Sequence, residues 1–429
     1  MKRLLTIAAA VSTLALSAHA SAQDFVIVNA TVATGDGSEP IEGGMVEIKG
    51  GKIAYAGPAR AFETDAVIDV AGKWVTPGIF AAASDLGLYD VGGVSESNDA
   101  SANGSPYHAA LDISPAINPA SEHISVNRAG GVTRASVAPD PARSIFAGQG
   151  AIIDLGADPQ PIMQARAFQL VVLGETGARL AGGSRVASYL DLRNALAEAK
   201  AYAAGTWSGD DAILTRADAA ALGAVLSGAQ KLYVHVERAA DIRAVLALRS
   251  EFSKLDMVLL GVSEGWLAAD AIAASSVPVL ADPLDDLPSS FEQLAATQSN
   301  IGRMVKAGVK VGIGGVGVFA QPRNLTQFAG NLVALQKVPR ASGLSWGQAL
   351  AAITSIPAEI SGLGDKAGIL RAGAVGDVVV WDGDPLELSS EPVQVFIDGV
   401  QQPLSSHQSR LKDRYRDLDE STLPKAFDW

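Results

Sequence analysis

Through the middle of this 429-residue chain, short apolar runs of strand character alternate with amphipathic helical windows, and that alternation most constrains the fold. Gly131 to Val137 follows a helical stretch, and Phe168 to Leu173 is a further apolar run. Lys231 to Val236 precedes a helical window over Ala239 to Phe252, Met257 to Leu260 precedes Trp266 to Ala274, and Val309 to Ile313 ends the series. Parallel strands need long crossovers, usually helices, so this pattern predicts parallel βα units. Spread over roughly 280 residues, it favours a closed barrel over an open sheet.

The two ends have a different texture. Asp24 to Ala30, Gly44 to Lys49, Lys52 to Ala56 and Ala66 to Val70 read as strands punctuated by Gly35-Asp36-Gly37 and Gly50-Gly51. Near the other end, Asp377 to Trp381 and Val393 to Gly399 flank the turn segment Asp382-Gly383-Asp384-Pro385. Neither small sheet can bury a face alone, so the expectation is that they pack together. The predicted fold class is α/β: a (β/α)8 TIM-type barrel over 79–361, with a small β-sandwich domain from 23–78 plus 362–407. The charged tail 408–429 is predicted to carry a solvated helix over Arg410 to Asp419. Tyr89 to Glu122, rich in Gly, Ser, Asn and Asp, is expected to form a long loop after the first barrel strand, a common place for function.

Composition narrows the chemistry. There is no cysteine, which removes disulfides, thiolate metal sites and cysteine nucleophiles. A formal charge of -13 leaves no basic field for phosphates, so nucleic acid is not an expected partner. Residues 1–22 have the layout of a secretory signal peptide: basic Lys2 and Arg3, an apolar Leu4 to Leu16, and a small-residue Ala20-Ser21-Ala22 end. Cleavage before Gln23 would leave a periplasmic or secreted protein without a membrane span.

Val75-Thr76-Pro77-Gly78, the run Asn127 to Thr133, Ala147-Gly148-Gln149-Gly150, Gly368 to Leu370 with Gly373 to Asp377, and Val378 to Pro385 occur in that order. In these segments the mature chain resembles the amidohydrolase superfamily, in particular its exported imidazolonepropionase-like branch. The resemblance implies a barrel with an attached sandwich. It also implies metal-dependent hydrolysis of C–N bonds other than peptide-chain bonds. A divalent metal such as zinc would be held by a first-strand His-x-His pair, a strand-four carboxylate or modified lysine, and histidines on strands five and six. A strand-eight Asp would handle the proton. Imidazoles and carboxylates suit that task because they bind zinc yet leave a position open for an activated water.

The chain departs from this pattern. The first-strand pair is replaced by Ala83 and Asp85, the strand-six histidine by Gly261 and the strand-eight Asp by Val316. His235 is kept on strand five, followed by Glu237, and no strand-four ligand can be placed. Alanine, glycine and valine offer no donor atoms. Asp85, His235 and Glu237 are the remaining candidate metal ligands, with Asp85 and Glu237 the candidate catalytic groups; 235 and 237 share a strand face.

Other motifs compete with plainer explanations. Gly261-Val262-Ser263-Glu264-Gly265 spells a nucleophile elbow, but His407 is the only later histidine, and it lies in the tail. Gly312 to Gly317 spells G-x-G-x-x-G, but Val318-Phe319-Ala320-Gln321-Pro322 is no helix start. His108 and His123 in or beside the long loop read as surface residues, Trp74, Trp266 and Trp381 as packing anchors, and Asn118-Pro119 as a turn.

The sequence therefore predicts a non-catalytic protein on the amidohydrolase scaffold, with no cofactor. It would bind a small amide or peptide-like ligand at the barrel mouth or support an active amidohydrolase partner subunit. The alternative is an active hydrolase of cyclic amides, dipeptides or acylated amino acids with an altered metal site at Asp85, His235 and Glu237.

Overall fold

The computed structural model describes residues 24–416 apart from 211, 284 and 316–320. The predicted signal peptide, Val316 and the last part of the charged tail lie outside the described residues. No described helix is long and apolar enough to cross a membrane.

The described strands form two eight-stranded sheets. In chain order the first sheet begins with β1 (Phe25–Val32), β2 (Ile41–Lys49), β3 (Lys52–Pro58), β4 (Val67–Asp69) and β5 (Trp74–Pro77). The second contains β6 (Ile79–Ser84), β7 (Val132–Val137), β8 (Phe146–Asp154), β9 (Ile162–Val172), β10 (Lys231–Val236), β11 (Met257–Gly261), β12 (Val279–Ala281) and β13 (Val311–Ile313). The chain then returns to the first sheet with β14 (Val378–Trp381), β15 (Pro392–Ile397) and β16 (Val400–Gln401).

The chain ends meet as the sequence leads one to expect, but through hydrogen bonds. β14 pairs antiparallel with β5, so both ends share one sheet instead of forming two separate layers. That sheet curls over itself: the Phe25 and Phe396 rings lie 4.8 Å apart although β5 and β14 stand between their strands. Ile27, Val46, Val75, Val378 and Phe396 fill the fold so made.

The second sheet is a nearly closed barrel of the TIM type. An isolated bridge joins Ala82 to Gly314, and Gly315 N donates to Ala82 O at 3.0 Å. At the other end of this seam Ile313 N donates to Ala352 O at 2.8 Å and Phe80 N to Ile353 O at 3.0 Å, so residues 352–353 fill the gap where β13 and β6 part. The strands are not all parallel: β8 runs antiparallel to both β7 and β9. Neither connection flanking β8 contains a helix, which corrects the strict (β/α)8 expectation. The physical reason is length: residues 138–145 and 155–161 are too short for a crossover and allow only hairpin returns.

Strand β10 shows the two-residue period directly. Leu232, Val234 and Val236 face outward into the layer packed by the helices, while Tyr233 faces the barrel interior. Tyr233 stacks on Phe168 at 4.1 Å between ring centroids. With Phe80, Leu260 and Leu280 this pair plugs the barrel below the mouth, each such side chain contributing roughly 1.5–3 kcal/mol by burial. The next residues on the Tyr233 face are His235 and Glu237, and both line the mouth. The charged tail begins with the helix His407–Arg414, which buries no residue.

Candidate functional site

At the C-terminal ends of the strands, where barrel enzymes place their chemistry, lies a cavity of about 350 Å³. Asp85, His235 and Glu237 all line it, as do Ala83 and Gly261. The fourth strand of the barrel, β9, contributes Leu170 and Val172, so no donor stands at the strand-four position either.

The polar groups form one chain. His235 Nε2 lies 3.1 Å from Glu237 Oε1. Glu237 Oε2 accepts from Ser263 N at 2.8 Å and from Ser263 Oγ at 2.6 Å. Ser263 Oγ also meets Asp285 Oδ2 in a short contact, and Gln293 Nε2 donates to both, at 3.0 and 3.1 Å. Burial works to lower the His235 pKa, but the hydrogen bond to Glu237 and the charges of Glu237, Glu292 and Asp285 prevail and hold it above its ordinary value. Burial would raise Glu237, yet His235 and the two Ser263 donors keep it below the usual carboxylate range. Burial pushes Asp285 up, and the Glu237 charge adds to that against the Ser263 hydrogen bond.

The backbone that delivers Ser263 is strained. Gly261 has φ +88° and Val262 φ +61°, a conformation β-branched residues rarely adopt. Val262 is held there by N–H donation to Val236 O and by Asn300 Nδ2 donating to Val262 O, both at 2.9 Å. Glu264 fixes the rest of the turn, accepting from Ala239 N at 3.0 Å and Ala295 N at 3.1 Å. Ala83, at the first-strand ligand position, also has positive φ, at +52°, with its N–H on Ser136 Oγ at 2.8 Å.

A divalent metal does not fit these donors. Among the described residues no group of three or more His, Asp or Glu side chains is arranged to hold a metal ion. At position 261 the space for a side chain is already filled: a β-carbon there would fall within 2.8 Å of Glu237 Cδ. The oxygens of Glu237 are committed to His235 and Ser263. No step is therefore routed through a metal.

The other motifs resolve into structure. Ser263 is buried and its hydroxyl meets Glu237, Asp285 and Gln293, while His407 N bonds to Glu122, so among the described residues no histidine bonds to the Ser263 hydroxyl. Gly312 lies in β13, packing on Leu280 and Pro357, Gly314 and Gly315 follow the strand, and the next described helical turn is Pro322–Asn324. His108 anchors the long loop through its backbone, its N–H and that of Ala110 donating to Asp218 at 2.9 and 2.8 Å; neither His108 nor His123 lines the cavity. Trp381 Nε1 bonds to Thr76 at 2.9 Å, Trp74 packs on Trp346 and Trp266 bonds to Ala295 O at 2.9 Å. Asn118 Nδ2 ties its turn to Asp90 at 2.9 Å.

An amidohydrolase family model matches residues 266–401. An amidohydrolase from Thermotoga maritima MSB8 superposes with a TM-score of 0.78 and 25% identity, covering 88% of this chain and 99% of that one. The imidazolonepropionase of Acidiphilium cryptum is 26% identical over 387 residues, 84% of this chain and 93% of its own length. The chain belongs to the amidohydrolase superfamily, in its imidazolonepropionase-like branch. The amidohydrolase tasK of Hapsidospora irregularis is 26% identical over 389 residues; the match covers 82% of this chain and 38% of that much longer protein. Within this superfamily member, then, the strand-five His235 stands at the mouth of the expected barrel, but beside Glu237, Ser263, Asp285 and Gln293 instead of further metal ligands. The sequence had flagged Ser263 for a different reason. Asp285 and Gln293 sit in the loop after β12, where no periodicity marks a functional position.

Proposed function

We propose that this amidohydrolase-superfamily protein is non-catalytic and uses its barrel mouth to bind a small ligand. The observation that supports this is the placement of Glu237 in the room a position-261 side chain would need. A site that had lost one ligand by drift would keep a hole at that place. Here the hole is filled, and Glu237 is bonded on both oxygens. The Ser263 hydroxyl, Asp285, Gln293 and the His235–Glu237 pair are bonded to one another in a single network.

The N-terminal 22 residues support export to the periplasm or beyond, with cleavage before Gln23. An active amidohydrolase partner subunit is a further occupant of this role, tested by co-purification from the native cell.

Metal analysis of the purified mature protein, paired with a panel of cyclic amides, dipeptides and acylated amino acids, tests the reading. A folded protein with no stoichiometric zinc or manganese and no turnover is expected. About one equivalent of tightly held metal, lost in His235→Ala and accompanied by amide hydrolysis, would establish the alternative: an active hydrolase with an altered site at Asp85, His235 and Glu237.

A further inference from the structure

Large apolar side chains stand in water along one arc of the barrel rim. Phe291 is 82%, Leu287 79% and Val186 78% exposed, and Leu190, Leu267 and Leu294 are exposed as well. The three elements that carry them are tied together. Arg185, directly before Val186, meets Glu292, directly after Phe291, at 3.1 Å. Trp266 Nε1, in the turn Gly265–Leu267, donates at 2.9 Å to the carbonyl of Ala295, the residue after Leu294. Leu190 lies one turn beyond Val186 on the helix Arg185–Ala203. Single exposed apolar residues are ordinary, but six joined in this way form a surface of the kind that marks an interface.

The charges on this surface are divided. From residue 255 to 302 the chain has no lysine or arginine. Asp286, exposed beside Leu287, accepts only from Gln298 N at 3.3 Å and meets no cation among the described residues. On the other side of the Arg185–Glu292 contact lies the helix Gly174–Leu180. There Glu175 approaches Arg185 at 3.7 Å, and Arg179, four residues on, shares that helix face. Arg179 is exposed and meets no carboxylate among the described residues.

We propose that this surface joins a second copy of the chain about a two-fold axis. In such a contact one patch serves both partners, and each pairing of two residues occurs twice. An apolar patch with an acidic side and a basic side is complementary to itself in that arrangement. Asp286 of each copy faces Arg179 of the other, and Val186, Leu287 and Phe291 are buried between them. The charges set the orientation, and the apolar side chains supply most of the affinity. A lipid surface offers no such matched pair of signs. The segment that carries Phe291 also presents Asp285 and Gln293 to the cavity, so pairing holds the loop after β12 at the barrel mouth. The inference is independent of the ligand-binding reading and stands or falls without it.

Sedimentation velocity of the mature protein over a concentration series tests this. A dimer is expected at micromolar concentration. Phe291→Asp alters an exposed side chain, so circular dichroism should be unchanged while the dissociation constant rises at least about thirtyfold. Asp286→Arg and Arg179→Glu should each weaken the dimer about tenfold, and the two changes combined should restore most of the loss. A monomer throughout the series overturns the proposal. Binding of that monomer to phosphatidylethanolamine–phosphatidylglycerol vesicles, or to a different protein of the native cell, would reassign the surface if Phe291→Asp abolished it. A dimer indifferent to Phe291→Asp overturns the proposal as well. Single charge reversals without effect, or a combined variant without recovery, overturn the two-fold arrangement.

Discussion

Glu237 holds both the backbone nitrogen and the hydroxyl of Ser263 on one oxygen, at 2.8 and 2.6 Å, and leaves its other oxygen to His235. One carboxylate just past the end of β10 thereby fixes the turn that follows β11, and the strain at Val262 is supported by that grip. The first prediction concerns this bond. Ser263→Ala removes the hydroxyl and leaves Asp285 and Gln293 without their shared partner. Loss of about 1–3 kcal/mol in urea unfolding is expected, with far-ultraviolet circular dichroism unchanged. A neutral effect would show that the network contributes nothing net to stability.

Restoring the superfamily's histidine is expected to harm the protein. Gly261→His places a β-carbon at φ +88° and against Glu237. The two effects together should cost roughly 2–4 kcal/mol, without zinc uptake. Adding Glu237→Ala clears the space, so the double variant should be more stable than the sum of the two single changes. Strict additivity in that cycle would refute the packing conflict.

The barrel is joined to the curled sheet by a buried ion cluster. Arg134 on β7 makes a two-pronged contact with Asp377, at 2.7 and 3.0 Å, and reaches Asp398 at 2.7 Å. Arg134 and Asp377 are almost fully buried, whereas the Asp398 side chain is 53% exposed. Arg134→Leu strands Asp377 without a counter-charge and should destabilise the fold by about 3–5 kcal/mol. Arg134→Leu with Asp377→Asn should recover part of that loss. Equal stability of the two variants in denaturant unfolding would mean the charge on Asp377 is compensated elsewhere.

Much of the architecture was legible in the chain. Lys231 to Val236 was read with the observed bounds because its alternation puts Tyr233 and His235 on one face and three aliphatic residues on the other. The direction of β8 was not read, since Phe146 to Asp154 is buried along nearly its whole length and hydrophobicity carries no direction. The signal was present in the short connections on either side, which exclude a crossover. At the site, the absences at Ala83 and Gly261 were visible as missing donors. What replaced them was not, because Ser263, Asp285 and Gln293 meet only after the loops beyond β11 and β12 converge, and loop positions obey no period.

The last prediction is a pH dependence at the other end of the barrel from the mouth. Asp154 ends β8, and its carboxyl is pushed up to about 6: burial is the largest cause, with Asp158 and Asp398 adding to it, while the Gly156 N–H and Arg134 work the other way. An aspartate in the unfolded chain titrates near about 3.9, so the folded state binds this proton more tightly. The stabilising contribution is therefore complete below about pH 4 and is lost as pH rises through about 6. Asp154→Asn keeps the acceptor for Gly156 and removes the charge. It should raise stability by on the order of 1–2 kcal/mol at pH 7.5 and change little at pH 4. Urea midpoints measured for both proteins between those values read the effect directly, and an equal gain at both pH values would show that the substitution acts through packing instead of through the proton.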